Sequence, residues 1–278
     1  MIRLDTSPTP PSPMGSAKGP SVHLRVDRLT YGGHDLFRDL AIDFPGGAWS
    51  CILGPSGVGK STLLRLAAGL ETGGEVGPNT SATLPGGASL AGHFAHMAQS
   101  DALLPWLSVL DNCLIGHRLR GKISAGARKR ALSLLDDVGL LNRAKDRPGT
   151  LSGGMRQRVA LVRTLVEDRP VVLMDEPFSA LDPPTRLRLG DLAARLLAGR
   201  TVLLVTHDPL EALRLGHRVL VLGGRPACPG DPMIPEGPPP RAVDAPTVIA
   251  HHAPLLTRLS QALELEDLSP ESGKETPA

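Results

Sequence analysis

No run of about eighteen apolar residues occurs in this 278-residue sequence, so no segment of it is expected to cross a bilayer as a helix. The first twenty residues lack even a stretch of seven apolar residues. They carry proline at positions 8, 10, 11, 13 and 20 instead, which speaks against a secretory signal and predicts a disordered N-terminal extension over 1–20. Cysteine is scarce: Cys51, Cys113 and Cys228 are odd in number and widely spaced, with no CxxC pair. That excludes a zinc knuckle or a redox dithiol and predicts buried, reduced thiols in a cytoplasmic protein. An excess of one charge is missing too, since 30 basic residues face 28 acidic ones for a net charge of +2. The basic footprint of a dedicated nucleic-acid binder is therefore absent, and no nucleic-acid partner is expected. There is no internal repeat of useful length and no long heptad run.

What is present is ordinary for an α/β protein: 41% of residues are hydrophobic and 21% charged. From Ser21 to Phe44, SVHLRVDRLTY and DLAIDF alternate apolar and polar residues around a Gly32-Gly33 break, the pattern of half-exposed antiparallel strands. WSCILG then runs as a buried strand into GPSGVGKS and the helical TLLRLAAGL. Two further apolar runs, VVLM at 171–174 and TVLLVT at 201–206, alternate with helical stretches, as in a mostly parallel sheet covered on both faces. Leu107 to Leu141 reads as a helical insertion, the core of a helical subdomain at about 100–165. One unit over 21–225 is expected, followed by a Pro-rich C-terminal extension over 226–278 with one helix near 247–265 and a loose last dozen residues.

The sharpest chemical signal is Gly54-Pro55-Ser56-Gly57-Val58-Gly59-Lys60-Ser61, a GxxxxGK[ST] loop between a strand and a helix that opens with Thr62. Glycines let the backbone wrap a polyphosphate closely, with N–H groups aimed inward at a helix N-terminus. Lys60 is suited to neutralise the β- and γ-phosphates, and the Ser61 hydroxyl to ligate Mg²⁺. Downstream, the strand Val171–Met174 ends in Asp175-Glu176-Pro177. Two carboxylates at the mouth of a buried strand are costly unless a cation or substrate meets them. Asp175 fits a Mg²⁺ site and Glu176 a general base toward an attacking water. A plain solvated strand end would account for the pair if the glycine loop were not there.

Leu151-Ser152-Gly153-Gly154-Met155-Arg156-Gln157-Arg158 resembles the LSGGQ signature of ATP-binding-cassette ATPases and stands about twenty residues before the acidic strand end. Other elements of that family follow in order. Tyr31 resembles the aromatic residue that stacks on adenine, Gln99 the Q-loop glutamine that also meets the metal, Ser179-Ala180-Leu181-Asp182 the D-loop, and His207 the switch histidine. Taken singly, Tyr31 reads equally as a strand aromatic, Gln99 as a surface polar residue and His207 as a capped strand end. The set, spanning about 22 to 225, carries the resemblance. It implies an α/β fold of the P-loop NTPase type with a mostly parallel sheet, an antiparallel β subdomain and a helical subdomain. It implies ATP and Mg²⁺ as cofactors, hydrolysis by Glu176, His207 and Lys60, and a metal site of Ser61, Gln99 and Asp175. It further implies a head-to-tail dimer in which Ser152, Gly153, Gly154 and Asp182 of one chain cover the nucleotide on the other. Met155, where the common signature has glutamine, is a departure that removes whatever hydrogen bond that glutamine makes.

QSDALLPWLSVLDN, together with LSGGMRQRVALVRTL, resembles importer ATPases of the nitrate, sulfonate and taurine group, including those for pyrimidine precursors of thiamine. The resemblance implies uptake of a small organic solute from the cytoplasmic face of the inner membrane. Its expected partners are a second, identical ATPase subunit, integral-membrane permease subunits and an extracytoplasmic solute-binding protein. Leu103, Leu104 and Trp106 would flank the groove for the permease, or else pack into the helical insertion as core. An exporter or lipoprotein-release ATPase is the alternative. A soluble cassette acting on nucleic acid is a weaker one, because neither a coiled-coil insertion nor a second cassette is present.

Overall fold

The computed structural model describes residues 19–121 and 123–267. In chain order its strands and α-helices are β1 Val22–Tyr31, β2 His34–Phe44, β3 Trp49–Leu53, α1 Lys60–Ala67, β4 Glu75–Val76, β5 Ser81–Thr83 and β6 Phe94–Met97. Then come α2 Val109–Cys113, α3 Ile115–Leu119, α4 Ala125–Asp137, α5 Gly153–Val166, β7 Val171–Asp175, α6 Pro183–Leu196 and β8 Thr201–Val205. The chain continues through α7 Pro209–Leu215, β9 Arg218–Gly223, β10 Cys228–Pro229 and α8 Pro246–Asp267.

The expected antiparallel pair forms as β1 and β2, with Tyr31 opposite His34 across the Gly32-Gly33 turn. Both glycines hold positive φ (56° and 85°), as the two-residue turn that matches strand twist requires. β4 and β5 add to β1 and complete this small sheet. The main sheet runs β10-β9-β3-β8-β7-β6, in which every neighbouring pair except β10–β9 is parallel. All five residues of β3, β7 and β8 are buried, so these strands carry apolar side chains on both faces rather than alternating with polar ones. Cys51, Leu53, Val172, Met174, Val202 and Leu204 point into a core shared with α4 to α8. Ile52, Leu173, Leu203 and Val205 point the other way, into a core shared with α1 and the antiparallel sheet. Each buried Leu, Ile or Val contributes about 1.5–3 kcal/mol of burial free energy.

β6, β9 and the short β4 and β5 go beyond the strands the sequence pattern singles out. Of the expected N-terminal extension, residues 1–18 lie outside the described residues, while Gly19 and Pro20 are held against the sheet: Gly19 N donates to Gly199 O at 2.7 Å, and Thr201 Oγ1 donates to Pro20 O at 2.6 Å. Most of the last dozen residues also lie outside the described residues. The helix expected near 247–265 is α8, and the segment leading to it packs on the rest of the chain. β10 pairs with β9, Met233 pairs with Val219, and Val248, Leu255 and Ala262 enter the main core. One expectation fails: Cys51 and Cys113 are buried, but Cys228 is exposed, because it sits on the two-residue edge strand β10.

Candidate functional site

β3, β8, β7 and β6 are neighbours in the sheet, and their C-terminal ends lead to Gly54, His207, Glu176 and Gln99 respectively. Four loops far apart in sequence therefore open side by side at one end of the sheet, the position where open α/β sheets bind ligands.

The loop after β3 is shaped by backbone constraints. Gly59 holds φ +101°, and a Cβ there would stand 2.7 Å from Phe37 Cζ. Only glycine meets both conditions. Pro55 and Val58 are buried and anchor the loop, while Ser56 and Gly57 face solvent. Gly59 caps α1 without a side chain, and the first intrahelical bond is Leu63 N to Gly59 O. The N–H groups of Lys60, Ser61 and Thr62 consequently have no helical acceptor and point out of the positive end of the helix, donors suited to an anion. Lys60 is buried and folds back over this loop, with Nζ donating to Gly54 O at 2.8 Å and Pro55 O at 2.6 Å.

Ser61 Oγ donates to Asp175 Oδ1 at 3.0 Å, joining the glycine loop to the end of β7. Burial pushes the Asp175 carboxyl above its usual range, the neighbouring Glu176 adds to the rise, and the Ser61 hydroxyl opposes it. Glu176 takes positive φ, 47°, while its N–H donates to Val205 O at 2.9 Å. Its Oε2 lies 3.1 Å from His207 Nδ1 and accepts from Gln99 Nε2 at 3.5 Å. Ser61, Asp175, Glu176, Gln99 and His207 are thus linked around one mouth, beside the loop that Lys60 folds over. Tyr31, at the end of β1, is partly exposed, and its hydroxyl donates to Thr72 O at 2.7 Å, which fixes the ring.

The signature segment uses its polar groups differently. Ser152 is the N-cap of α5, accepting from Met155 N at 3.3 Å, and both Ser152 and Gly153 are exposed. Gly154 packs beside Ala180 and Leu181, where a Cβ would stand 3.3 Å from Leu181 Cδ2. Met155 is partly buried against the helical core, a packing role that its thioether suits. Asp182 caps α6, accepting from Thr185 N at 3.0 Å, a bond that holds its carboxyl below the usual range.

Gln157 has a part that motif reading passes over. It is buried on α5, its Nε2 donates to Glu176 O at 3.1 Å, and its Oε1 accepts from Ala180 N at 2.9 Å. One side chain thereby joins the signature helix to the acidic strand end and to the Ser179–Asp182 loop. Its signal in the sequence is a lone amide on the same helical stripe as the apolar Ala160 and Leu161. Arg156 and Arg163 extend the same helix toward the segment after Gln99. Arg156 Nε pairs with Asp101 at 2.8 Å, and Arg163 donates to Asp101 O and Ala102 O. In that segment Leu103 is buried in the helical core and Leu104 is half-buried, whereas Trp106 is 66% exposed. Asn112 fixes the turn, donating to Leu104 O at 3.1 Å and accepting from Leu104 N at 2.8 Å.

A strand-loop-helix phosphate cradle facing an acidic strand end across a parallel sheet defines a P-loop nucleoside triphosphatase. Residues 37–179 match the ABC transporter family. The chain is 41% identical to an uncharacterized ABC transporter ATP-binding protein of Haemophilus influenzae over 85% of this chain and 94% of that one. It is 49% identical to an aliphatic sulfonates import ATP-binding protein, SsuB 1, of Rhodococcus jostii over 67% of this chain and 73% of that one. A dimeric post-hydrolysis ATP-binding cassette bound to ADP and Pi superposes with a TM-score of 0.67 at 28% identity, covering 78% of this chain and 99% of that one. This chain belongs to the ABC transporter family and is an ATP-binding, ATP-hydrolysing subunit.

Proposed function

We propose that the chain powers an importer of a small organic solute of the aliphatic-sulfonate type, working as a head-to-tail dimer on the cytoplasmic face of the inner membrane beneath permease subunits served by an extracytoplasmic solute-binding protein. The importer reading draws on the Rhodococcus relative, named for aliphatic sulfonates import, and the dimer on the post-hydrolysis cassette, described as dimeric.

One observation carries the catalytic reading: Ser61 meets Asp175, and Gln99 and His207 both meet Glu176, at one sheet edge beside a lysine-bearing anion cradle. In this reading Gly54 to Thr62 hold the phosphates and Lys60 turns from the loop carbonyls to the β- and γ-oxygens. Tyr31 stacks on adenine, worth about 1 kcal/mol. Ser61 and Asp175 present hard oxygen donors 3.0 Å apart, with Gln99 nearby, a set that fits Mg²⁺. That ion would supply neutralisation of phosphate charge. Glu176 accepts the proton of the attacking water, and His207 keeps its carboxylate in line and faces the γ-phosphate. Ser152 caps the fourteen-residue helix α5 that Gly153 and Gly154 open; Ser152 and Gly153 are exposed and free to cover the partner's nucleotide, with Asp182 and the half-buried Gly154 beside them.

Glu176→Gln tests the assignment. ATP is expected to bind normally and hold the chain as a dimer, while turnover falls about 10²–10⁴-fold; size-exclusion chromatography with ATP and a phosphate-release assay read the two effects. Turnover at the wild-type rate would overturn the role of Glu176. Trp106 is assigned to the permease groove because a large apolar ring left in solvent beside a rigid turn is the anchor that helix docking needs. In the assembled transporter, Trp106→Asp is expected to abolish solute uptake into vesicles and leave basal ATP hydrolysis within about twofold. Unchanged uptake would remove the groove from this position.

A further inference from the structure

α6 and α7 lie against each other closely enough that a Cβ on Gly190 would stand 3.3 Å from Leu215 Cδ1. At the other end of α7 its N-cap Asp208, just past His207, meets the start of α6, just past Asp182. Arg186 spans the two. Its Nη1 pairs with Asp208 Oδ2 at 3.0 Å, and its Nη2 donates to Leu181 O at 3.3 Å. Asp208 is held on its other sides as well. Its N–H donates to Thr206 Oγ1 at 3.1 Å, and its Oδ1 accepts from Leu210 N at 2.9 Å and Glu211 N at 3.3 Å. Both chain neighbours of His207 are therefore clamped, while the histidine ring itself remains 56% exposed beside Glu176.

We infer that Arg186 is a positioning residue for ATP hydrolysis. It fixes the switch loop through Asp208 so that His207 stays on Glu176, and it ties that loop to the Leu181–Asp182 turn, which in the proposed dimer faces the partner's nucleotide. The inference rests on the proposed roles of Glu176 and His207. A planar guanidinium suits this position because it engages a carboxylate and a carbonyl in two directions at once, which an ammonium point charge does less well. The Arg186–Asp208 pair is about a quarter exposed on each side, and such pairs add little to stability. Geometry is what the pair supplies. A displacement of either loop then reaches His207 through one side chain, linking the partner-facing turn to the catalytic carboxylate.

The test is steady-state ATP hydrolysis by the full chain carrying Arg186→Ala, Arg186→Lys, Asp208→Asn or the Ala/Asn double change, with Glu176→Gln run in parallel. Arg186→Ala is expected to lower kcat about tenfold with KM for ATP within about twofold. Arg186→Lys should recover only part of that loss, and the double variant should be no slower than the slower single one, as for two halves of one contact. Unchanged kcat in folded Arg186→Ala, a parallel change in KM and kcat, or multiplicative losses in the double variant would overturn the link. Wild-type turnover by Glu176→Gln would overturn the catalytic reading beneath it, so the two failures are told apart in one experiment.

Discussion

The strand mouths and the C-terminal segment treat their polar groups in opposite ways. At the mouths, Asp175 is buried with its carboxyl pushed up, Glu176 holds a left-handed backbone, and Gln99 and His207 converge on a single oxygen of Glu176. A non-glycine residue in that conformation costs about 1–3 kcal/mol. In the C-terminal segment Arg241 is also buried, yet its Nε donates to Glu236 O, its Nη1 to Leu213 O and Gly216 O, and its Nη2 to Pro235 O and Gly237 O. Arg214 Nε returns a bond to Arg241 O at 2.9 Å. One region keeps strain and bonding capacity in reserve for a ligand; the other has spent its donors on the fold. Substitutions should accordingly separate: those at the mouths change turnover and not melting, those in the C-terminal segment the reverse.

The largest effect belongs to Glu176→Gln. Besides losing at least about a hundredfold in turnover, it should shift stability by less than about 1 kcal/mol, because the amide keeps the side chain's shape and its bond from Gln99. Thermal melting beside the phosphate-release assay checks both halves. The converse is Arg241→Ala, which strips five carbonyls of their donor at once, three of them in buried bonds. The expected cost is about 3 kcal/mol, a fall in Tm of about 6–12 °C, with kcat per folded molecule unchanged. A variant that melts normally, or one that melts early and also hydrolyses slowly, would erase the distinction between the two regions.

The same contrast accounts for what the sequence could disclose. The glycine loop was legible because strand, loop and helix are contiguous, and β3, β7 and β8 because full burial makes them unbroken apolar runs. β6 was not, since Phe94–Met97 is a four-residue edge strand with His96 inside it. Arg241 stands in a stretch that reads only as a Pro-rich extension, and its significance lies in Leu213 and Gly216, more than twenty residues away. Gln157 likewise acquires meaning only when folding brings Glu176 O and Ala180 N to its amide. Cys228 was misjudged for the complementary reason: a thiol's usual burial does not hold on a two-residue edge strand.

A smaller effect sharpens the boundary between the regions, at Glu211 in the first turn of α7. Burial, and after it the charge of Asp208, pushes its carboxyl up to about 8. A folded-state value above the unfolded one means that the native chain holds this proton more tightly. The stability it contributes is complete below the ordinary carboxyl range and is lost as pH rises through about 8. Glu211→Gln, which stays neutral, should melt with the wild type at pH 4 and several degrees above it at pH 9, the gap opening as pH rises from the ordinary carboxyl range to about 8. Identical curves at both pH values would mean that the carboxylate finds compensation on ionising.

The smallest effect is expected at Met155, where the family signature has glutamine. If the residue after Ser152-Gly153-Gly154 acted on the nucleotide, restoring the amide would raise activity. Its placement argues otherwise: Met155 N donates to the Ser152 cap, and the side chain is partly buried against the helical core rather than directed outward with Ser152. Met155→Gln exchanges a flexible apolar group for a polar one of similar length, so it is expected to cost under about 1.5 kcal/mol of stability and to leave kcat within about twofold. A several-fold gain in turnover would move Met155 from the packed region to the nucleotide-facing one, and would mean that the amide reaches a partner's nucleotide across the dimer.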